Sequence, residues 1–225
     1  MRKLLLSMAL TACFAASVAA QSVDTFNRVE SFNGYSHFLL ERPRPIGEGT
    51  VLESFHGVNS GVTLNIRRHL GLKFDFARYS KKEKICPTGS AEANIWLPTA
   101  ECFAPVAAED DSHFQTSIYN VMGGIQLKNN SDDAKFIKPF AHLLVGSTLA
   151  REEGRLVFHD PRSGQFTSES RTFSDSGLTG AVGAGFDIRM SERIDLRAIQ
   201  VDYHKSTVFA RSSDNIRLGV GLVFR

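Results

Sequence analysis

Apolar residues recur at every second position along most of the chain, the period of a strand with one apolar and one polar face. In Gly57 to Ile66 the small and polar residues Gly57, Asn59, Gly61, Thr63 and Asn65 alternate with Val58, Ser60, Val62, Leu64 and Ile66. Leu70 to Tyr79 sets Leu70, Leu72, Phe74 and Phe76 against Gly71, Lys73, Asp75 and Ala77. Gln115 to Lys128 sets Tyr119, Val121, Ile125 and Leu127 against Asn120, Met122, Gly124 and Gln126. Phe136 to Ala150, Leu178 to Met190, Ile194 to Tyr203 and Asn215 to Arg225 follow the same rule. With Val29 to Leu40, whose two faces both mix apolar and polar residues, the pattern predicts eight strands.

The connections alternate between long and short. Glu41 to Thr50, Ser80 to Phe114, Arg151 to Gly177 and His204 to Asp214 are long, whereas Arg67 to His69, Asn129 to Asp133 and Ser191 to Arg193 are tight. A meander with brief turns at one end and extended loops at the other predicts an all-β fold, an eight-stranded antiparallel up-and-down transmembrane β-barrel with short periplasmic turns and long extracellular loops. A soluble sandwich has no need for that asymmetry. Past Gln21 no apolar run approaches the roughly 18 residues of a membrane helix, so a membrane span must be made of strands.

In such a barrel the polar face is the lumen, which eight strands leave just wide enough for side chains to fill. Lys73, Asp75, His142, Asp187, Arg189, Gln200, Asp202 and Arg217 are then expected to point inward and to pair with one another, because isolated charges there are costly. Two readings of this network stand open: packing that stiffens the barrel, and a gated path for ions. Arg197 breaks the alternation, falling on the lipid side with Ile199. A β-bulge or a position at the interface is expected there.

Composition changes the picture at the chain start. The 225 residues include 18 Gly and 7 Pro and carry a formal charge of +2, which fits one folded domain and gives no basic surplus for nucleic acid. Arg2 and Lys3 precede an apolar run from Leu4 to Val18 and the small residues Ser17, Ala19 and Ala20, the order of a secretory signal peptide. Cleavage after Ala20 divides the chain into a signal, residues 1–20, and a barrel domain, residues 21–225, with 24 basic and 24 acidic residues. A lipoprotein box over Leu10 to Cys13, which would acylate Cys13, is the competing reading. Export also leaves Cys86 and Cys102 as an even pair in a compartment that permits disulfides. Bonded, they would close a loop of about 17 residues, for which chain entropy gives about 3 kcal/mol. Neither these cysteines nor His113, His142 and His159 show metal-site spacing, and no metal or cofactor is expected.

The last strand carries a resemblance. Arg217, Gly219, Leu222 and Phe224 match the polar-x-Gly-x-x-apolar-x-aromatic signal of strands inserted by the bacterial barrel-assembly machinery, although Arg225 follows the aromatic. With "VESFNGYSHF", "KPFAHLLVG", "GAVGAGFDIRMSERIDLRAIQVDYH" and "NIRLGVGLVFR", about 200 residues resemble the eight-stranded outer-membrane β-barrel family of OmpA type, which includes porin-like members. The resemblance implies a Gram-negative outer membrane, a lipid bilayer and the assembly machinery as partners, and a monomer. It is specific for fold and poor for function, since the family spans slow pores, adhesins and proteins of unassigned role.

Three functions compete. The first is a non-enzymatic barrel serving membrane integrity, with weak pore activity and loop-mediated surface contacts, where the Ser80 to Phe114 loop bearing Trp96 and Phe103 is the expected recognition element. The second is a lipid-modifying enzyme resembling lipid A deacylases. His204 and Ser206, two apart, would share a strand face, and Asp214 is the carboxylate nearest in sequence. That reading requires the three to meet on the lipid-facing surface. The third is a soluble lipocalin-like periplasmic binder, which would need the large apolar residues inside.

Overall fold

The computed structural model describes residues 26–43, 50–84, 113–130, 136–159, 166–208 and 212–225. Its strands are β1 (Val29–Pro43), β2 (Thr50–Arg67), β3 (Leu70–Lys84), β4 (His113–Lys128), β5 (Ile137–His159), β6 (Phe166–Arg189), β7 (Ile194–Ser206) and β8 (Ser213–Phe224). Each pairs antiparallel with its neighbours in sequence, and β1 pairs with β8 from Ser31↔Phe224 to Leu39↔Ile216, so the barrel closes and no sheet edge is left open. The signal segment, Cys13, Cys86, Cys102, Trp96 and Phe103 lie outside the described residues.

Alternation puts the apolar rows outside. Leu72, Phe74, Phe76, Leu143, Val145, Val182, Leu218 and Val220 are exposed on the exterior, while Lys73, Asp75, His142, Asp202 and Arg217 are buried. An apolar exterior around a charged interior is the arrangement a bilayer selects, and it is the reverse of a lipocalin-like binder. The irregular β1 becomes intelligible in this frame. Its inward face carries Glu30, Phe32, Ser36, Phe38 and Leu40, and its outward face retains Asn33 and His37. Outward polar groups find partners on β2, where the Ser60 hydroxyl donates to Asn33 Oδ1 at 2.8 Å.

The strands run farther toward the loop end than periodicity indicates. Arg151 to Gly177, expected as a loop, is mostly a β-hairpin whose register runs unbroken from Ile137↔Ile188 to His159↔Phe166. β1, β3, β7 and β8 are likewise extended at their outer ends. Above the bilayer both faces of a strand meet water, so the backbone ladder holds the hairpin with no apolar alternation to announce it. Arg151 and Glu153, outward and half exposed, pair there at 2.6 Å.

Candidate functional site: the lumen ion-pair network

Strand periodicity puts Lys73 and Asp75 of β3 on one inward row, and Gln200 and Asp202 of β7 on another. Arg217 of β8 joins them. Its Nε donates to Asp202 Oδ2 at 2.5 Å, and Nη1 and Nη2 donate to the two oxygens of Asp75 at 2.6 and 3.4 Å. This is the planar fork that a guanidinium makes and an ammonium does not. Asn59 Nδ2 adds a donor to Asp75 at 3.1 Å, and Lys73 stands 3.8 Å from the same carboxylate.

His142 of β5 bridges this cluster. Lys73 Nζ lies 3.3 Å from His142 Nδ1, and an ammonium has no lone pair, so Nδ1 accepts. The imidazole proton is then on Nε2, 2.9 Å from Asp202 Oδ1. Gly183 opposite makes this possible. A Cβ there would collide with Asp202 Oδ1 and stand 2.7 Å from His142 Nε2.

From Asp202 the network descends toward the turn end. Gln200 Nε2 donates to Asp202 at 2.6 Å, and Arg197 Nη1 donates to Gln200 Oε1 at 2.9 Å. Arg197 Nε and Nη2 clasp Asp187 at 2.8 and 3.2 Å, with the guanidinium carbon 4.0 Å from the Phe140 ring centroid and 4.5 Å from that of Phe32. Lys128 joins Asp187 at 2.8 Å to Glu30 at 2.9 Å. Four cations, Lys73, Arg217, Arg197 and Lys128, thus balance four anions, Asp75, Asp202, Asp187 and Glu30. A separate group at the turn end joins Asp195 to Lys138 at 3.4 Å and to Arg225 at 2.7 Å.

On the loop side, Phe38, Leu40, Phe55, Ala77, Tyr79 and Ile118 form a buried apolar layer. Phe38 stacks on Tyr79 with centroids 4.9 Å apart, and Tyr79 OH and Ser36 Oγ are 3.2 Å apart. An apolar layer and an ion-pair layer therefore lie in series along the lumen.

Of the residues expected in the network, Lys73, Asp75, His142, Asp187, Gln200, Asp202 and Arg217 are buried together. Arg189, the last β6 residue before the turn, is only half-buried. Arg197 points inward. The register shifts between Phe186↔Ile199 and Asp187↔Arg197, and again on the β8 side between Arg197 and Gln200, so a bulge returns the arginine to the lumen. Glu30, Lys128, Lys138, Asp195 and Arg225 were not singled out from sequence, although Lys128 continues the inward row of Gln126. Arg217 and Gly219 of the terminal signal face inward, and Leu222 and Phe224 face the exterior.

His204 and Ser206 do share a strand face, but it is the lumen face, where both are buried. Ser206 Oγ lies 2.9 Å from Ser213 Oγ and accepts from Asn215 Nδ2 at 3.2 Å, while His204 packs edge-on to Phe38. Asp214 is outward, bonded by Tyr203 OH at 2.6 Å and Lys205 at 3.0 Å. The lipid-facing triad that the enzyme reading requires is not formed, because the period-two row of Asp202 carries His204 and Ser206 inward.

No protein-family model and no curated protein matches the chain. Among solved structures, the chain is similar to the attachment invasion locus protein of Yersinia pestis in complex with the heparin analogue sucrose octasulfate, at 14% identity and a TM-score of 0.50 over 88% of this chain and 100% of that one. It is also similar to Neisserial surface protein A, at 13% identity and a TM-score of 0.51 over 89% of this chain and 99% of that one. At such identities the likeness concerns fold, and the fold is that of the eight-stranded outer-membrane β-barrels.

Proposed function

We propose that this outer-membrane-type barrel is a non-enzymatic structural protein of the Gram-negative outer membrane, a closed and rigid span that supports membrane integrity and carries its outer loops as a contact surface. The observation behind this reading is the lumen, where ion pairs from Asp75 to Glu30 sit in series with the Phe38–Tyr79 layer. A wide aqueous path does not coexist with such packing, so conductance should be weak and set by Arg217 and its partners. In the same reading the chain is exported by its cleaved N-terminal signal, inserted by the barrel-assembly machinery through its terminal strand, and monomeric, with the Cys86–Cys102 bridge bracing the second outer loop.

Planar-bilayer recording of the refolded mature protein tests this. Wild type should be silent or show rare small openings, and variants at Lys73, Asp75 or Arg217 should open more often. Large, steady currents from folded wild type would overturn the closed-barrel reading and make the protein a pore. In cells, loss of the protein should admit a bulky dye that wild type excludes, and expression of wild type should restore exclusion.

A further inference from the structure

The β1–β2 exterior bears a polar cluster where the other strands bear apolar rows. His37 and His56 are direct cross-strand partners in the register, both pointing outward. Their Nδ1 atoms are 3.3 Å apart, with ring centroids separated by 4.8 Å. Ser54 Oγ lies 3.2 Å from His37 Nε2, and Tyr35 OH touches His56 Nδ1. His37 is eight residues into β1, which at about 3.3 Å per residue and a tilt of about 40° places it roughly 20 Å above the strand start, near the top of an apolar band about 25 Å tall. The cluster therefore sits where lipid gives way to external water.

The hydrogen bonds define what the two nitrogens present. When His37 donates its Nε2 proton to Ser54 Oγ, its Nδ1 keeps a lone pair, and when Tyr35 OH donates to His56 Nδ1, that nitrogen is an acceptor as well. The two Nδ1 atoms and the phenol oxygen then converge with a single proton, that of the phenol, among them, and a cation that takes the place of this proton would meet all three donors. The separation has a meaning of its own. Zinc–imidazole bonds of about 2.0–2.1 Å at a tetrahedral angle put two ligating nitrogens about 3.3–3.4 Å apart. A square-planar ion would draw adjacent nitrogens to roughly 2.8 Å. Ser54 holds His37 as groups behind a metal ligand do, by fixing the nitrogen that does not bind.

We propose that His37 and His56, with the Tyr35 phenol oxygen as third donor and water completing the shell, bind one Zn2+ at the outer rim of the barrel, with Ser54 positioning His37. Among the described residues no group of three His, Cys, Asp or Glu side chains forms a metal site, so this one depends on the phenol and on water. It is an open, exchangeable site that ties β1 to β2 beside the first outer loop.

Zinc titration of the refolded full barrel in micelles, followed by calorimetry, tests the site, with folding of each variant verified by heat-dependent gel mobility. Wild type should bind one zinc reversibly to chelator. His37→Asn and His56→Asn should each weaken binding at least tenfold, and the double variant should bind no more weakly than the worse single, since one imidazole cannot chelate. Tyr35→Phe should weaken binding several-fold. Equal affinity in the wild type and the His37→Asn/His56→Asn variant would place the zinc at another histidine and overturn the proposal. So would the lack of saturable binding by wild type at millimolar zinc.

Discussion

Asp75 on β3 and Arg217 on β8, 142 residues apart in sequence, meet across the lumen at 2.6 Å, with both side chains fully buried. The same guanidinium holds Asp202 at 2.5 Å, so one cation neutralises two carboxylates in a site that water does not reach. Attraction between buried charges about offsets their desolvation, but removing one partner leaves the others uncompensated.

Arg217→Met should therefore destabilise the barrel by about 3–5 kcal/mol, as urea unfolding in micelles would measure. Adding Asp75→Asn to that variant should recover part of the loss, because the two residues share one interaction. A loss below about 1 kcal/mol for the single change would mean that water or Lys73 replaces the arginine.

Gly183 and Gly180, three apart on β6, should respond unequally to the same change. A methyl at Gly183 strikes Asp202 and His142, whereas one at Gly180 meets nothing within 4 Å. Gly183→Ala should cost about 1–3 kcal/mol. Gly180→Ala should stay within about 0.5 kcal/mol, and equal effects in the same unfolding assay would refute the packing of Asp202 through this gap.

Leu143 lies six residues into β5, roughly 15 Å above the strand start and so near the middle of the apolar band, and is 59% exposed on the barrel exterior between its register partners Ile125 and Val182. In phospholipid vesicles Leu143→Arg should lower stability by about 2–4 kcal/mol, and Leu52→Arg near the outer end of β2 by about 0–1 kcal/mol. The same comparison applies to Leu72, Val182 and Leu218. Equal tolerance at both depths would contradict the lipid-facing assignment.

Arg197 clasps Asp187 with two nitrogens while lying between the Phe32 and Phe140 rings. Lysine keeps the charge but loses the fork and the flat stacking surface. Arg197→Lys should cost about 1–3 kcal/mol, and a thermal-unfolding midpoint indistinguishable from wild type would show that charge alone matters there.

The sequence by itself determined which face of nearly every strand meets lipid, because side chains alternate with a period of two and a bilayer tolerates charge on only one side. Lys73 beside Leu72 and Phe74, or Asp202 beside Val201 and Tyr203, could be assigned to the lumen without coordinates. The short turns at Arg67 to His69 and Ser191 to Arg193 and the existence of eight strands followed from the same period, while the turn expected at Asn129 to Asp133 lies largely outside the described residues. Where both faces are wet, as in the Arg151 to Gly177 hairpin, the period vanishes and strand cannot be told from loop. Which lumen charges touch was decided only by closure, since register and tilt bring β3, β5, β7 and β8 to one level and place Arg217 between Asp75 and Asp202. The row of Asp202 already assigns His204 and Ser206 to the lumen, but closure brought Arg197 inward through a bulge and set His37 against His56 on the outside. Each of these depends on cross-strand distance, which a one-dimensional alternation does not encode.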